Sequence, residues 1–182
     1  MRQKPRILNS RMVAESRLFR VEELELEFAN GVSTRYERLV GSGRGAVLIV
    51  PMLDAGTVLL IREYAAGTDR YELALPKGRI ESGEDLLDAA NREIMEEVGY
   101  GAHRLTHLTS FTVAPGYLSH VTHVVLAEDL YERRLPGDEP EPIEVVPWTL
   151  DRLSELLARE DCSEARSIAA LFMVRDRMRA PA

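Results

Sequence analysis

The stretch Gly78–Tyr100, GRIESGEDLLDAANREIMEEVGY, decides how this chain is read. Ser82 is placed to be an N-cap with Asp85 three residues on, a variant of the capping box. Glu84 and Asp85 bring negative charge to the first turn, where the helix dipole favours it, and Gly99 supplies a stop that tolerates the left-handed conformation. The segment between them is therefore expected to be a helix. At ~100° per residue, Leu87, Ala90, Ile94 and Val98 share an apolar arc, and Glu93, Glu96 and Glu97 share the arc beside it. Ala89, one turn before Glu93, is expected to leave room for a ligand on the acidic face. Glutamates three and four apart on a helix repel one another. Crowding them beside a core makes physical sense when a cation sits among them, and hard carboxylate oxygens suit Mg²⁺, with Mn²⁺ as a substitute. Arg92, four residues before Glu96, can pair with it and orient the cluster. Glu84 lies on the opposite side of the helix from Glu93 and is read as a supporting residue, not a metal ligand.

The whole chain bounds what surrounds this helix. Its 182 residues are enough for one substantial core but not for two full domains. A net charge of −7 argues against the broad basic surface that nucleic-acid binding needs, while leaving room for one small phosphate ligand. No apolar run approaches the ~18 residues of a membrane span, and MRQKPRILNSRMVAESR carries no hydrophobic signal core. The single cysteine, Cys162, excludes an internal disulfide framework and fits a reducing, cytoplasmic setting. His103, His107, His120 and His123 lack zinc spacing, and Ser110, Ser119 and Cys162 lack a triad context.

Leu24, Leu26 and Phe28 alternate with glutamates as in a half-buried strand, Asn30-Gly31 signals a hairpin, and Ser33–Val40 reads as the returning strand. Gly41–Gly45, GSGRG, reads as a joint. Ala46–Met52 and Thr57–Arg62 are expected to pair around Asp54-Ala55-Gly56. Further strands are expected at Tyr71–Leu75, Leu105–Val113, Val121–Ala127 and Ile143–Trp148, and closing helices at Leu150–Arg159 and Ser163–Arg177, the second capped by Asp161 and Glu164. Helices and strands in this order indicate an α/β or α+β sandwich.

The spacing G-x5-E-x7-R-E-U-x-E-E-x-G-U, with U bulky and aliphatic, is met by Gly78, Glu84, Arg92, Glu93, Ile94, Glu96, Glu97 and Gly99, and only Tyr100 departs from it mildly. It resembles the signature of the Nudix hydrolases. LIREYAAG (Leu60–Gly67), Pro115 sixteen residues beyond Gly99, and EARSIAALFMVRDR resemble the branch that cleaves ADP-ribose and related ADP compounds. The resemblance implies a Nudix-type α/β/α sandwich of mixed sheet with an N-terminal β-hairpin extension. Residues 1–42 would form the extension, and residues 43–182 the hydrolase domain with its box at 78–100. It implies Mg²⁺ held by Glu93, Glu96, Glu97 and the main-chain carbonyl of Lys77, with Arg62 on the substrate diphosphate. It implies a homodimer whose hairpin, Leu18–Val40, crosses between subunits and offers Phe19, Arg35, Tyr36 and Arg38 to adenine. Because the box glutamates are taken by cations, a separate general base is expected. In that branch it comes from an acidic loop before the last strand, here Gly137–Pro142 with Asp138, Glu139 and Glu141, of which Glu139 is preferred.

The implied reaction splits the diphosphate of ADP-ribose, reduced nicotinamide dinucleotide or diadenosine polyphosphates, releasing AMP. Lys77 stands where many ADP-ribose enzymes have alanine, which favours more highly phosphorylated substrates. A dedicated dinucleoside polyphosphate or cap-removing hydrolase is one rival reading. A non-catalytic ADP-ribose sensor is another, against which the intact glutamates weigh.

Overall fold

The computed structural model describes residues 3–41 and 43–179. Ser42, where the two expected domains would meet, lies outside the described residues. The chain forms two compact units: the N-terminal segment to Gly45 together with residues 112–121, and a larger unit made of the rest.

The larger unit is built on strands buried on both faces. Strand β4 (Ala46–Pro51), β5 (Thr57–Ala65) and β9 (Thr122–Glu132) carry nearly continuous runs of Val, Leu and Ile, as strands covered on both sides do. Their alternate residues feed two separate cores. Leu48, Val50, Val58, Leu60, Val124 and Leu126 pack toward the C-terminal helices, with Leu153, Leu156, Ala170, Leu171 and Val174. Val47, Ile49, Leu59, Ile61 and Val125 pack instead against Ala89, Ala90, Ile94 and Val98 of helix α1 (Leu86–Glu97). The result is the expected α/β/α sandwich.

One sheet has the order β7-β4-β9-β8, with β7 at Lys77–Arg79 and β8 at Tyr100–Phe111, and it is mixed because β4 and β9 run parallel. The other has the order β10-β5-β6, with β6 at Arg70–Ala74 and β10 at Glu144–Thr149. This corrects the expected pairing of β4 with β5. Asp54 does close a turn, accepting from the N–H groups of Gly56 and Thr57 at 2.8 Å. Beyond one bridge between Met52 and Val58, however, the two strands part into different sheets. Two strands with both faces apolar each need a covered layer, and a shared hairpin edge does not decide which neighbours they take.

The last segment differs in detail from expectation. Leu150–Arg152 is a single 3-10 turn, α2 spans only Leu153–Leu157, and α3 runs Ala165–Arg179. Glu164 alone caps α3, its carboxylate accepting from the N–H groups of Arg166 and Ser167 at 3.1 and 2.8 Å. Asp161 is not part of a cap; it pairs with Arg159 and Arg62.

In the N-terminal unit the extension holds three strands, β1 (Arg6–Glu15), β2 (Arg20–Glu27) and β3 (Ser33–Leu39), in the order β1-β2-β3. The β2–β3 hairpin has the expected turn, closed by the Phe28 N–H to Val32 carbonyl bond of 2.9 Å. Strand β1 escaped the reading because it is exposed along its whole length and shows no alternation. Among the described residues no helix is long and apolar enough to cross a membrane.

Candidate active site

Helix α1 begins later than Ser82 suggested. Asp85 is the N-cap: its backbone is extended and its carboxylate accepts the Leu87 N–H at 2.9 Å. At the other end Val98 and Gly99 both donate to the Ile94 carbonyl, and Gly99 takes the left-handed φ of +85° that ends the helix. Ala89 is fully buried in the core below α1 and does not line the acidic face, a correction to the space assigned to it. The arc that it shares with the glutamates turns toward the sheet at that level.

Arg92 organises what precedes the helix. Its Nε and Nη2 donate to the Glu84 carboxylate at 2.8 and 3.1 Å, and Nη2 also reaches the Arg79 carbonyl at 3.0 Å. Its Nη1 donates to Glu93 and Glu96 at 2.8 and 2.9 Å. Glu84 in turn accepts the Glu81 N–H at 3.0 Å. One guanidinium thus fastens the 79–84 turn to the helix and fixes two carboxylates. Bonding to Arg92 holds Glu84 below its usual carboxylate range, and the Arg92 guanidinium is itself shifted up by these partners, Glu84 first.

The remaining carboxylates behave in the opposite way. Glu93 and Glu97 are 8% and 3% exposed. Burial drives the Glu93 carboxyl up, against Arg92, and Glu96 and Glu139 add repulsion. Burial pushes the Glu97 carboxyl up to about 8, opposed by the Lys77 charge and by the Lys77 N–H, which donates to Glu97 at 2.9 Å. The Lys77 ammonium is paired with Glu63 at 2.7 Å. Gly78 is needed for close approach: a Cβ there would collide with the Glu93 carboxylate.

These groups line a cleft of about 570 Å³ in the larger unit, where seven carboxylates (Glu63, Glu81, Glu93, Glu96, Glu97, Asp138 and Glu139) meet three cations, Lys77, Arg79 and Arg92. Among the described residues no three carboxylates already converge as a finished ligand cage, since Arg92 holds Glu93 and Glu96 from one side. The donor set nevertheless fits a hard divalent cation: carboxylate oxygens, those of Glu93 and Glu97 buried, with an excess of negative charge and no histidine or cysteine among the lining residues.

The two base candidates are separated. Glu139 is half-buried and lines the acidic cleft, and its charge is felt by Glu93. Glu141 is exposed, does not line that cleft, and accepts the Tyr71 hydroxyl at 2.6 Å. Arg62 donates to Glu144 at 2.9 Å and pairs with Asp161. Phe19, Arg35, Tyr36 and Arg38 belong to the N-terminal unit, where Phe19 and Tyr36 are exposed and Arg38 pairs with Glu22 at 2.6 Å. Sequence reasoning missed Glu63, Arg79 and Tyr71. Glu63 sits in the same IREY segment as Arg62, so that segment held the available signal.

Comparison with known proteins agrees with this architecture. Residues 43–172 match the NUDIX domain, and residues 5–38 match the NudE-type Nudix hydrolase N-terminal domain. The chain is 52% identical to the ADP compounds hydrolase NudE of Escherichia coli (strain K12) over 96% of its own length and 93% of that protein's. It is 29% identical to the ADP-ribose pyrophosphatase of Bacillus subtilis (strain 168), covering 90% and 91%. A crystal structure of an ADP compounds hydrolase superposes with a TM-score of 0.91 at 50% identity, covering 98% of this chain and 96% of that one.

Proposed function

The chain belongs to the Nudix hydrolase family, of the NudE type, and from that membership we propose that it splits the diphosphate of ADP-containing compounds with the help of Mg²⁺, releasing AMP. ADP-ribose, reduced nicotinamide dinucleotide and diadenosine polyphosphates are the substrates in view. The observation that carries the reading is the charge imbalance of the cleft, seven carboxylates against three cations. A diphosphate is repelled by such a cleft unless cations enter with it. Glu93, Glu96, Glu97 and the Lys77 carbonyl would hold them. Bound Mg²⁺ supplies neutralisation of the diphosphate oxygens and acidification of the attacking water.

The protein's own groups then have distinct tasks. Glu139 takes the proton of the water as its oxygen attacks phosphorus and the bond to the bridging oxygen breaks. Arg92 keeps Glu93 and Glu96 aimed into the cleft. Arg62, which does not itself line that cleft, is read as a further cation for the substrate's phosphates once released from Glu144 or Asp161. The N-terminal unit is read as the contact of a homodimer, supported by Ile7, Leu8, Met12, Leu18 and Phe19, which are at least 43% exposed. It is also read as one source of adenine contacts, and a monomer in sedimentation at micromolar protein would remove the dimer reading. The buried thiol of Cys162 supports a cytoplasmic setting.

The deciding experiment incubates the purified protein and Mg²⁺ with the three substrates and identifies products. AMP from all of them supports the reading. Binding without turnover would instead favour a sensor, and cleavage of diadenosine polyphosphates alone a dedicated polyphosphate hydrolase.

A further inference from the structure

The acidic cleft continues into a second cavity, for Glu63, Tyr64 and Glu139 line both. This neighbour is about 380 Å³, within the range of small-ligand sites. Its character is different. Tyr64, Tyr71, Pro140, Pro142 and Ile143 make its lining mostly apolar, with Arg62, Glu141 and Glu144 at its polar edge. We propose that this cavity binds a flat heteroaromatic base of the substrate, either the adenine of the ADP half or the ring of the other half. The inference rests on the diphosphate lying in the acidic cleft.

The two tyrosines carry the argument. Both rings remain open to solvent, Tyr64 at 48% and Tyr71 at 47%, yet neither is free to turn. The Tyr64 hydroxyl donates to Asp69 at 2.7 Å and the Tyr71 hydroxyl to Glu141 at 2.6 Å. The rings also hold each other edge to face, 5.7 Å apart at 68°. Exposed aromatic area that is already immobilised loses little entropy when a flat partner covers it. Bases offer such a partner, since each has a π-face and most carry amino or amide N–H groups that carboxylates such as Glu141 and Glu144 can accept. Because Glu139 lines both spaces, a nucleotide whose diphosphate lies beside Glu139 can reach the rings through its ribose.

Steady-state kinetics of the whole protein with Mg²⁺ test this on Tyr71→Leu, which removes the ring, and Tyr71→Phe, which keeps the ring and loses the bond to Glu141. Tyr64→Leu is an independent second variant, and Mn²⁺ binding followed by electron paramagnetic resonance checks that the cleft is intact in each. Both Leu variants should raise KM about ten-fold, the scale of one base–aromatic stack, with kcat within about three-fold of wild type. The Phe variant, whose ring is kept but no longer pinned to Glu141, should raise KM by less than the Leu variant. A KM rise for ADP-ribose, reduced nicotinamide dinucleotide and diadenosine triphosphate alike assigns the cavity to adenine; a rise sparing ADP-ribose assigns it to the other half's ring. Unchanged KM for all three substrates overturns the proposal. So does a Phe variant as impaired as the Leu variant, which would make the hydroxyl a tether for the acidic loop. A shift of Tyr71→Leu to a smaller oligomer would also overturn it, because a second copy would then be what covers the rings. If the wild type turns over none of the substrates, the functional reading fails first. Calorimetry with AMP and with nicotinamide mononucleotide then tests the cavity by itself, with weaker binding of either to Tyr71→Leu supporting it and equal binding of both overturning it.

Discussion

Carboxylates are handled in opposite ways on the N-terminal sheet and in the acidic cleft. On the sheet they meet arginines one to one across neighbouring strands in Arg6–Glu27, Arg11–Glu23 and Arg38–Glu22, all reached by solvent. Glu23, bonded first to Arg11, lies below its usual range, and Glu22, bonded to Ser10 and Arg38, does the same. In the cleft, burial drives Glu93 and Glu97 the other way. Residue type is identical in the two places. What distinguishes them is water and the count of partners: the sheet is complete as it stands, whereas the cleft keeps an excess of negative charge that only something from solution can balance.

That contrast can be broken in graded steps. The hardest blow is Glu97→Gln, which removes a proposed metal ligand while keeping its shape. Turnover should fall by about three orders of magnitude or more, a loss on the scale of removing a catalytic electrostatic contact, with the fold retained by circular dichroism. Unchanged kcat would end the metal assignment. Next, Glu139→Gln should lower kcat by ~10²–10⁴-fold with Mg²⁺ affinity kept, the range of general acid–base catalysis. Glu141→Gln, outside the cleft, should change kcat by less than about ten-fold. The reverse ranking would move the base to Glu141.

Melting temperature against pH sharpens the comparison further. Glu97 carries a folded-state value of about 8 against an ordinary 4.5. The metal-free folded protein therefore holds a proton that the unfolded chain has released between those values. Its stability should be greatest near the acid end of that window and fall as pH rises toward 8. Mg²⁺ selects the ionised form, so the difference in melting temperature between Mg²⁺ and EDTA should widen with pH. A difference independent of pH would show that Glu97 does not meet the ion. The smallest effect belongs to the sheet: Arg11→Ala should move the melting temperature by less than about 1 °C, because exposed pairs contribute little. A larger loss there would erase the distinction between the two regions.

Much of the cleft was legible beforehand because a helix turns spacing into position. Once Leu86–Glu97 is helical, Glu93, Glu96 and Glu97 must share a side, and Arg92 must stand within reach of Glu96. The boundary was less legible: Ser82 and Asp85 both have capping side chains, and only backbone conformation chooses Asp85. Strand β1 could not be read, since a segment exposed on every residue carries no periodic signal. The β4–β5 hairpin was misread because apolarity on both faces identifies a buried strand but not its partners. Glu139 and Glu141 stand two residues apart in one acidic loop, where local pattern supports no more than a preference for Glu139; the Tyr71 hydroxyl separates them by engaging only Glu141. The Tyr64–Tyr71 contact joins two strands, so no local pattern announces it.

The parallel pairing of β4 with β9 has a consequence for how the protein is made. Ala46 is registered with Thr122 and Pro51 with Ala127, so β4 leaves the ribosome well before its central neighbour exists. Through that interval Val47–Val50 is an uncharged, strand-prone segment with only the three-residue β7 to pair with, the kind of stretch from which aggregation starts. Long-range closure of this sort is slow, and refolding followed by the single tryptophan, Trp148, is expected to take milliseconds to seconds. Chains released before Thr122 should collect in the insoluble fraction of expressing cells, and their recovery as soluble, folded protein would show that β9 is not what completes the sheet.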